Sequence, residues 1–194
     1  MIRLYALIAA MFAFVQLVGC GSSPKSNFYT LSSGAAPERS EAKAQYSVAI
    51  GPVTVPAIID RPQIVTRSGP NQVQIAELER WAGPLRSEIP RVIAANLMQQ
   101  LDGAYVYVYP QNVNLNADYQ VLLEVQRFDS TLGDAVTVEV LWAVHPAQGG
   151  TEKTGRSTVR EPTNGNSYDA LVAAYSRALT TVSRDIAEAI RSTR

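Results

Sequence analysis

The stretch that decides the fold is residues 119–144, YQVLLEVQRFDSTLGDAVTVEVLWAV. It holds two runs rich in Val, Leu, Tyr and Thr, 119–128 and 135–144, and these are residue types that favour strands. The link 129–134 contains Asp, Ser and Gly, which are typical turn residues. Because a link this short joins neighbouring antiparallel strands, the stretch predicts two paired strands in one sheet.

Further strands are predicted on both sides of this pair. Residues 104–109 and 155–161 read as strands, so three consecutive strands from residue 119 onward should form an antiparallel meander. Upstream, a strand is expected from Tyr46, with Gly51-Pro52 introducing a kink or bulge. The period-two pattern around the turn Gly69-Pro70-Asn71 predicts a small hairpin at 63–76.

Two helices are predicted from apolar residues at three- and four-residue spacing. The first lies between Trp81 and the terminator Asp102-Gly103, and its Pro90 must either begin the regular helix or kink a longer one. The second follows a cap at 164–167 and runs to the end of the sequence. The element order therefore predicts an α/β sandwich with a mixed, mostly antiparallel sheet. We expect a core of Val48, Ile50, Ile93, Leu97, Val106, Leu123, Val125, Val138, Val140, Leu171, Leu179, Val182 and Ile186.

The N-terminal residues have the order of an export signal: a basic start at 1–3, a charge-free apolar stretch at 4–18, then Gly19-Cys20. A helix of about 15 residues spans about 22 Å, less than a bilayer core of about 30 Å. Residues 17–20 resemble a bacterial lipobox, which predicts that 1–19 is removed and that Cys20, the only cysteine, carries acyl chains such as palmitate. Gly21 in place of an aspartate favours the outer membrane.

Residues 20–45 are rich in Ser, Gly and Pro and predict a flexible tether, in which Phe28–Leu31 either docks on the domain or forms a short edge strand. A single domain is expected over 46–194. The 194-residue chain has 17 basic and 17 acidic residues and no basic run, so nothing in it indicates nucleic-acid binding.

No catalytic or metal-binding motif is present in the sequence. His145 is the only histidine, and the carboxylates are scattered over different strands and turns. There is no phosphate-binding Gly-rich loop, zinc-binding histidine pair or nucleophile elbow. We therefore predict no catalytic residue, no metal and no cofactor, so that the protein is not an enzyme.

The segment 51–81 has the most unusual composition, because prolines and charged residues crowd into it with few apolar ones. Asp60, Arg61, Gln63 and Arg67 are the candidate partner interface, since a proline-fixed corner can present charged side chains. The alternative is that these residues only serve turn formation: the prolines fix the corner, Asp60 caps it and Arg61 stays solvated.

Three segments, GPVTVPAIIDRPQIVTR at 51–67, RWAGPL at 80–85 and PRVIAANL at 90–97, resemble the PqiC (YmbA-like) family of ABC-transport auxiliary lipoproteins. The resemblance continues through Ala117–Tyr119 and Arg127–Asp129 to YDALVAA at 168–174. It implies a three-layer α/β fold, no catalytic residue, and work beside an MCE-domain protein and an ABC transporter in lipid transport between membranes. Self-association of the domain stays open. The alternatives are a lipoprotein of another envelope assembly or export machine, or a periplasmic hydrolase.

Overall fold

The structure is a computed structural model. It describes residues 24–34, 45–109 and 117–193. These residues form eight strands and two helices. The strands are β1 (Asn27–Tyr29), β2 (Tyr46–Thr54), β3 (Gln63–Gly69), β4 (Gln72–Trp81), β5 (Ala104–Val108), β6 (Tyr119–Ser130), β7 (Ala135–Pro146) and β8 (Lys153–Pro162). The helices are α1 (Leu85–Gln100) and α2 (Tyr168–Ser192). The predicted signal peptide and the predicted lipidation site Cys20 lie outside the described residues.

The larger sheet has five strands in the order β5-β2-β6-β7-β8. The predicted meander is confirmed: β6 pairs antiparallel with β7, and β7 with β8. Strand β2 pairs in parallel with both β5 and β6, which makes the sheet mixed. The predicted interruption at Gly51-Pro52 is also present, because the β2–β6 register shifts between Ile50 and Val53. A side chain at Gly51 would lie 2.8 Å from Leu122 Cδ2, so glycine permits this close approach.

Both helices pack side by side against one face of this sheet, α1 over β5 and β2, α2 over β7 and β8. Helix α2 begins where Ser167 accepts a hydrogen bond from the amide of Ala170, a standard N-cap. Helix α1 contains Pro90 in its interior, so Pro90 does not begin the helix. Of the two predictions, the longer helix that includes this proline is correct. All thirteen predicted core residues are at most 4% exposed, and the α/β sandwich is confirmed.

A second, three-stranded sheet has the order β1-β4-β3. Its antiparallel β3–β4 hairpin corresponds to the predicted hairpin and extends it to Trp81. Strand β1 pairs in parallel with the end of β4, and Leu31 just beyond it is 1% exposed. Both alternatives predicted for Phe28–Leu31 are therefore present, a short edge strand and a side chain docked on the domain, so the folded domain includes this part of the predicted tether. Burial of Leu31 and pairing of β1 offset the cost of ordering this short polar segment.

Neither helix in the described part of the chain is both long enough and apolar enough to cross a bilayer.

Candidate functional site

The corner between β2 and β3 is a tight turn anchored in the core. The amide of Ile59 donates to the carbonyl of Pro56 at 3.1 Å, and the amide of Asp60 donates to the carbonyl of Ala57 at 3.4 Å. The Ile59 side chain is 5% exposed, whereas its neighbour Ile58 is 45% exposed. The corner is therefore held by one buried side chain and by its own backbone hydrogen bonds, as the prolines predicted.

The four candidate interface residues lie on this corner and on the following strand, and each has a different environment. Asp60 forms an ion pair with Arg86 of α1, whose Nε lies 3.3 Å from Oδ1. Gln63 donates to Glu77 at 3.2 Å, and Arg67 donates through Nε to Asp129 at 3.0 Å. The Nε atom of Arg61 is buried and has no hydrogen-bond partner among the described residues. The structure thus gives these residues separate partners and does not gather them into one cluster.

Arg67 belongs to a small charged network at the end of β6. Asp129 accepts hydrogen bonds from Arg67 and from Arg127, whose terminal nitrogen is 3.0 Å away. The second end of the Arg67 guanidinium donates to the carbonyl of Pro70 at 2.9 Å, which ties the hairpin turn to its own strand. Because this carboxylate faces two guanidinium groups, the network keeps a net positive charge on the surface of the hairpin.

The Asp60–Arg86 ion pair joins the corner to a groove that the sequence analysis did not predict. The groove has a volume of about 860 Å³ and lies between α1 and the edge strand β5. One side is the α1 face that carries Arg86, Pro90, Ala94, Ala95 and Met98; the other is formed by residues 105–109. Gly51–Val53 of β2 close one end. This volume falls in the range of ligand-binding clefts.

The groove exposes apolar and aromatic side chains. Met98 is 48% exposed, Tyr105 51% and Tyr109 50%. The rings of Tyr105 and Tyr107 pack against one another with centroids 5.7 Å apart. The alternation Tyr-Val-Tyr-Val-Tyr at 105–109 was visible in the sequence as a strand, but only the sheet order shows that this strand is an edge.

The two charged residues that line the groove are both arginines, Arg86 and Arg91. Arg91 pairs with Glu88 at 2.6 Å and also donates to the carbonyl of Leu31 at 3.2 Å. Burial alone would raise the pKa of Glu88, but hydrogen bonds from Arg91 and Thr30 outweigh it and lower that pKa. Arg91 and Glu88 therefore hold the segment after β1 against α1, beside the groove.

The polar groups elsewhere in the described residues do not form a recognisable reaction centre. His145 lies on β7 with Nδ1 3.4 Å from Glu152 Oε2. Ser157 accepts from Trp142 Nε1 at 3.0 Å and donates to Asp185, so its hydroxyl links the meander to α2. No group of three or more His, Cys, Asp or Glu side chains among the described residues is placed to hold a metal ion.

Comparison with known proteins agrees with this fold and with the predicted resemblance. The mixed sheet with two helices on one face defines an α/β domain. The chain belongs to the ABC-type transport auxiliary lipoprotein component family, whose profile matches residues 29–187. That match begins at Tyr29, within the segment where β1 and Leu31 join the folded domain.

Two solved structures share the fold. One, of an uncharacterized protein, is 21% identical with a TM-score of 0.71, covering 86% of this chain and 99% of its own. The other is a DUF330 protein from Xanthomonas campestris, 21% identical with a TM-score of 0.63, covering 84% of this chain and 93% of its own. Comparison with curated protein sequences gives no match.

Proposed function

We propose that this protein is an outer-membrane lipoprotein that docks a periplasmic MCE assembly of an ABC-type intermembrane lipid transport system. The observation that carries the proposal is the family match over residues 29–187. The family describes an auxiliary lipoprotein component, and an auxiliary component acts by binding the transport machinery. The N-terminal Cys20 with its small preceding residue supports the lipid anchor.

In this proposal the domain works by position and contact, without catalysis. Acyl chains on Cys20 hold the domain at the periplasmic face of the outer membrane, and the corner at 56–62 with the β3–β4 hairpin faces the partner. A corner anchored by Ile59 and by backbone hydrogen bonds is pre-organised, which lowers the entropic cost of docking. The positive network around Arg67, Arg127 and Asp129 supplies a surface for an acidic partner patch.

Lipidation is tested by Cys20→Ser in cells fed a labelled fatty acid. A hydroxyl cannot replace the thiolate nucleophile in acyl-group attachment, so the variant should remain an unlabelled, uncleaved precursor. Separation of inner and outer membranes then locates the wild-type protein. Equal labelling of wild type and variant would rule out the anchor, and recovery in the inner membrane would rule out the assigned location.

Docking is tested by the Asp60→Ala, Arg61→Ala double variant together with Arg67→Ala. The Asp60–Arg86 pair is exposed to solvent and should contribute less than about 1 kcal/mol to stability. Arg61 is partly buried and Arg67 pairs with Asp129, so thermal unfolding is measured on the same preparations. Variants that melt close to wild type should retain less of the MCE protein when the complex is isolated. Arg184→Ala on the exposed surface of α2 is the matched control. Wild-type retention of the partner by every variant would remove this surface from the interface.

A lipoprotein of another envelope assembly would share the anchor but bind a different machine. Isolation of the full-length protein from cells that express the neighbouring genes, followed by mass spectrometry, separates the two. An ATPase and an MCE chain in stoichiometric amounts support the proposal, whereas pilus, polysaccharide or lipopolysaccharide export proteins would replace it.

A further inference from the structure

Strand β1 brings the folded domain close to the predicted lipid anchor. Asn27, the first residue of β1, lies seven residues after Cys20, and a chain of that length spans at most about 25 Å. Tyr46, where the sequence predicts the domain to begin, lies 26 residues after Cys20, and that longer chain could span about 90 Å. With acyl chains on Cys20, the end of the domain that carries β1 therefore stays beside the bilayer.

The attachment of β1 is held by polar contacts as well as by strand pairing. Asn27 Nδ2 and the Tyr29 hydroxyl both donate to the carboxylate of Glu79, at 3.0 and 2.6 Å. The amide of Ala82 donates to the Tyr29 carbonyl at 2.7 Å. Leu31, which follows β1, is 1% exposed in the core, so β1 cannot leave the domain without strain on a buried apolar side chain. The anchor is thereby connected to a fixed point on the domain.

The long helix α2 separates this end of the domain from the opposite one. Its first residue, Tyr168, lies beside β1, because the ring centroids of Tyr29 and Tyr168 are 6.3 Å apart. At the other end, a methyl group on Gly150 would lie 3.5 Å from Thr193 Cγ2, so the β7–β8 turn at 147–150 lies next to the end of the helix. A helix of 25 residues is about 37 Å long. The β7–β8 turn is therefore the end of the domain farther from the anchor.

The small sheet exposes apolar side chains at the end near the anchor. Phe28, the middle residue of β1, is 65% exposed and pairs in register with Arg80. Leu78, two residues before Arg80 on β4, is 38% exposed, so Phe28 and Leu78 are diagonal neighbours on paired strands. Arg80 Nε donates to the carbonyl of Glu77 at 3.0 Å. An aromatic ring and an aliphatic side chain beside a guanidinium group are a combination that membrane interfaces favour.

We infer that this end of the small sheet contacts the bilayer that holds the acyl chains, with Phe28 and Leu78 in the interfacial layer. The short chain from Cys20 keeps these side chains at a high local concentration of lipid, so a weak apolar contact is sufficient to orient the domain. Glu77 and Glu79 on β4 limit the contact to the headgroup region, because carboxylates are costly in hydrocarbon. The β7–β8 turn then points away from the bilayer.

This inference rests on the proposed function only for the lipid on Cys20. It is compatible with partner docking, because β1 and β3 are opposite edges of the small sheet and the corner at 56–62 leads into β3. A protein partner or a second copy that covered Phe28 would have to displace a bilayer tethered within about 25 Å of Asn27. The length of the chain therefore favours the bilayer as the surface that meets Phe28.

The test uses the lipidated protein inserted into preformed vesicles of phosphatidylethanolamine and phosphatidylglycerol. Because Cys20 is the only cysteine and carries the lipid in this proposal, Phe28→Cys introduces one free thiol for an environment-sensitive fluorophore. Gln148→Cys in the exposed β7–β8 turn is the matched control. Fluorescence at position 28 should be quenched by nitroxide-labelled lipid and protected from aqueous iodide. At position 148 it should be quenched by iodide and not by the lipid.

A second pair of variants tests Phe28 without a label on it. The fluorophore is placed on Leu78→Cys, and Phe28→Asp should then reduce its quenching by nitroxide lipid, because the charge withdraws this edge from the interface. Met98→Asp, near the end of α1 and 48% exposed, is the control and should leave the quenching unchanged. Thermal unfolding of each labelled protein shows that the domain is folded. Equal quenching with and without Phe28→Asp would rule out a contact through Phe28.

Equal quenching by lipid at positions 28 and 148 would overturn the inference. A label at position 28 that is protected from iodide but not quenched by lipid would also overturn it, since that pattern indicates a protein–protein contact. Fatty-acid labelling of the same preparation separates the inference from the proposed function. An unlipidated Cys20 would overturn both, whereas lipid on Cys20 without quenching at position 28 would overturn this inference alone. Lipid contact in a protein that co-isolates with a machine other than the MCE assembly would overturn the proposed function alone.

Discussion

The ring of Tyr175 on α2 lies flat on the ring of Phe128 on β6, with centroids 3.9 Å apart and an interplanar angle of 1°. The Tyr175 hydroxyl also donates to the backbone carbonyl of Phe128 at 3.0 Å. Trp81, the last residue of β4, packs edge-on against both rings at 6.2 and 6.1 Å. One aromatic cluster thus joins the large sheet, the terminal helix and the small sheet.

Removal of the Tyr175 hydroxyl tests this connection. Tyr175→Phe keeps the stacked ring but leaves the Phe128 carbonyl without its donor in a buried site, so we expect a loss of about 1–2 kcal/mol in the free energy of unfolding. Denaturant unfolding measures it. Tyr105→Phe, where the ring is 51% exposed, is the control and should change stability little. Equal stability of both variants would show that the hydrogen bond contributes nothing.

Alkaline pH should destabilise the domain through two tyrosines. Burial raises the pKa of the Tyr175 hydroxyl far above its usual range. The pKa of Tyr29 is raised to about 12, chiefly by burial and in second place by its hydrogen bond to Glu79. In the unfolded chain these hydroxyls ionise near pH 10, so above that pH the folded state holds more protons and stability falls as pH rises.

The stability that these raised tyrosine pKa values contribute is fully present below about pH 10. For Tyr29 it is lost as the pH rises through about 12. Unfolding by urea between pH 8 and 12 measures the slope. The Tyr29→Phe, Tyr175→Phe double variant should lose stability less steeply than wild type over this range. Identical slopes would contradict the assignment.

The segment after β1 should stabilise the folded domain. Leu31 is 1% exposed within the main core, so Leu31→Ala should cost about 2–5 kcal/mol. The matched control is Phe28→Ala, because Phe28 is larger but 65% exposed. If Phe28→Ala lowers the melting temperature and Leu31→Ala does not, residues 24–34 are a dispensable tether.

Helix α2 should be an integral part of the core. Leu179 and Ile186 are completely buried on its inner face, and truncation of either to alanine should cost about 2–5 kcal/mol because a cavity remains. Calorimetry of both variants checks this value. Unchanged melting would show that the helix detaches without unfolding the sheet.

Gly155 should be required for the position of Trp142. A methyl group at this glycine would lie 2.2 Å from Trp142 Cζ2, so Gly155→Ala must displace the indole and break its hydrogen bond to Ser157. We expect a loss of about 1–3 kcal/mol and a red shift of tryptophan fluorescence. Gly69→Ala in the hairpin, where the nearest atom would be 3.8 Å away, is the control and should show neither change.

Local patterns in the sequence were sufficient to predict the strands, helices and core of this domain. The meander from residue 119, the hairpin at 63–76 and the amphipathic α2 all follow from periodicity and turn residues that act within a few residues of one another. The same local chemistry predicted the anchored corner at 56–62. The resemblance of 51–67, 80–85 and 90–97 to a known family was also readable there, and the match over residues 29–187 confirms it.

Only the tertiary structure decided which strand is an edge, which short segments join the core, and what each charged side chain meets. The sequence left open whether Phe28–Leu31 docks on the domain or forms a short edge strand. The structure shows both, because β4 and α1, which receive this segment, are formed by residues 50 to 60 positions away. Asp60 meets Arg86, and Arg67 meets Asp129, through contacts 26 and 62 residues apart. The groove beside β5 likewise exists only because β2 pairs in parallel with β5 and β6, and such long-range pairings depend on the packing of the whole chain, which local periodicity does not encode.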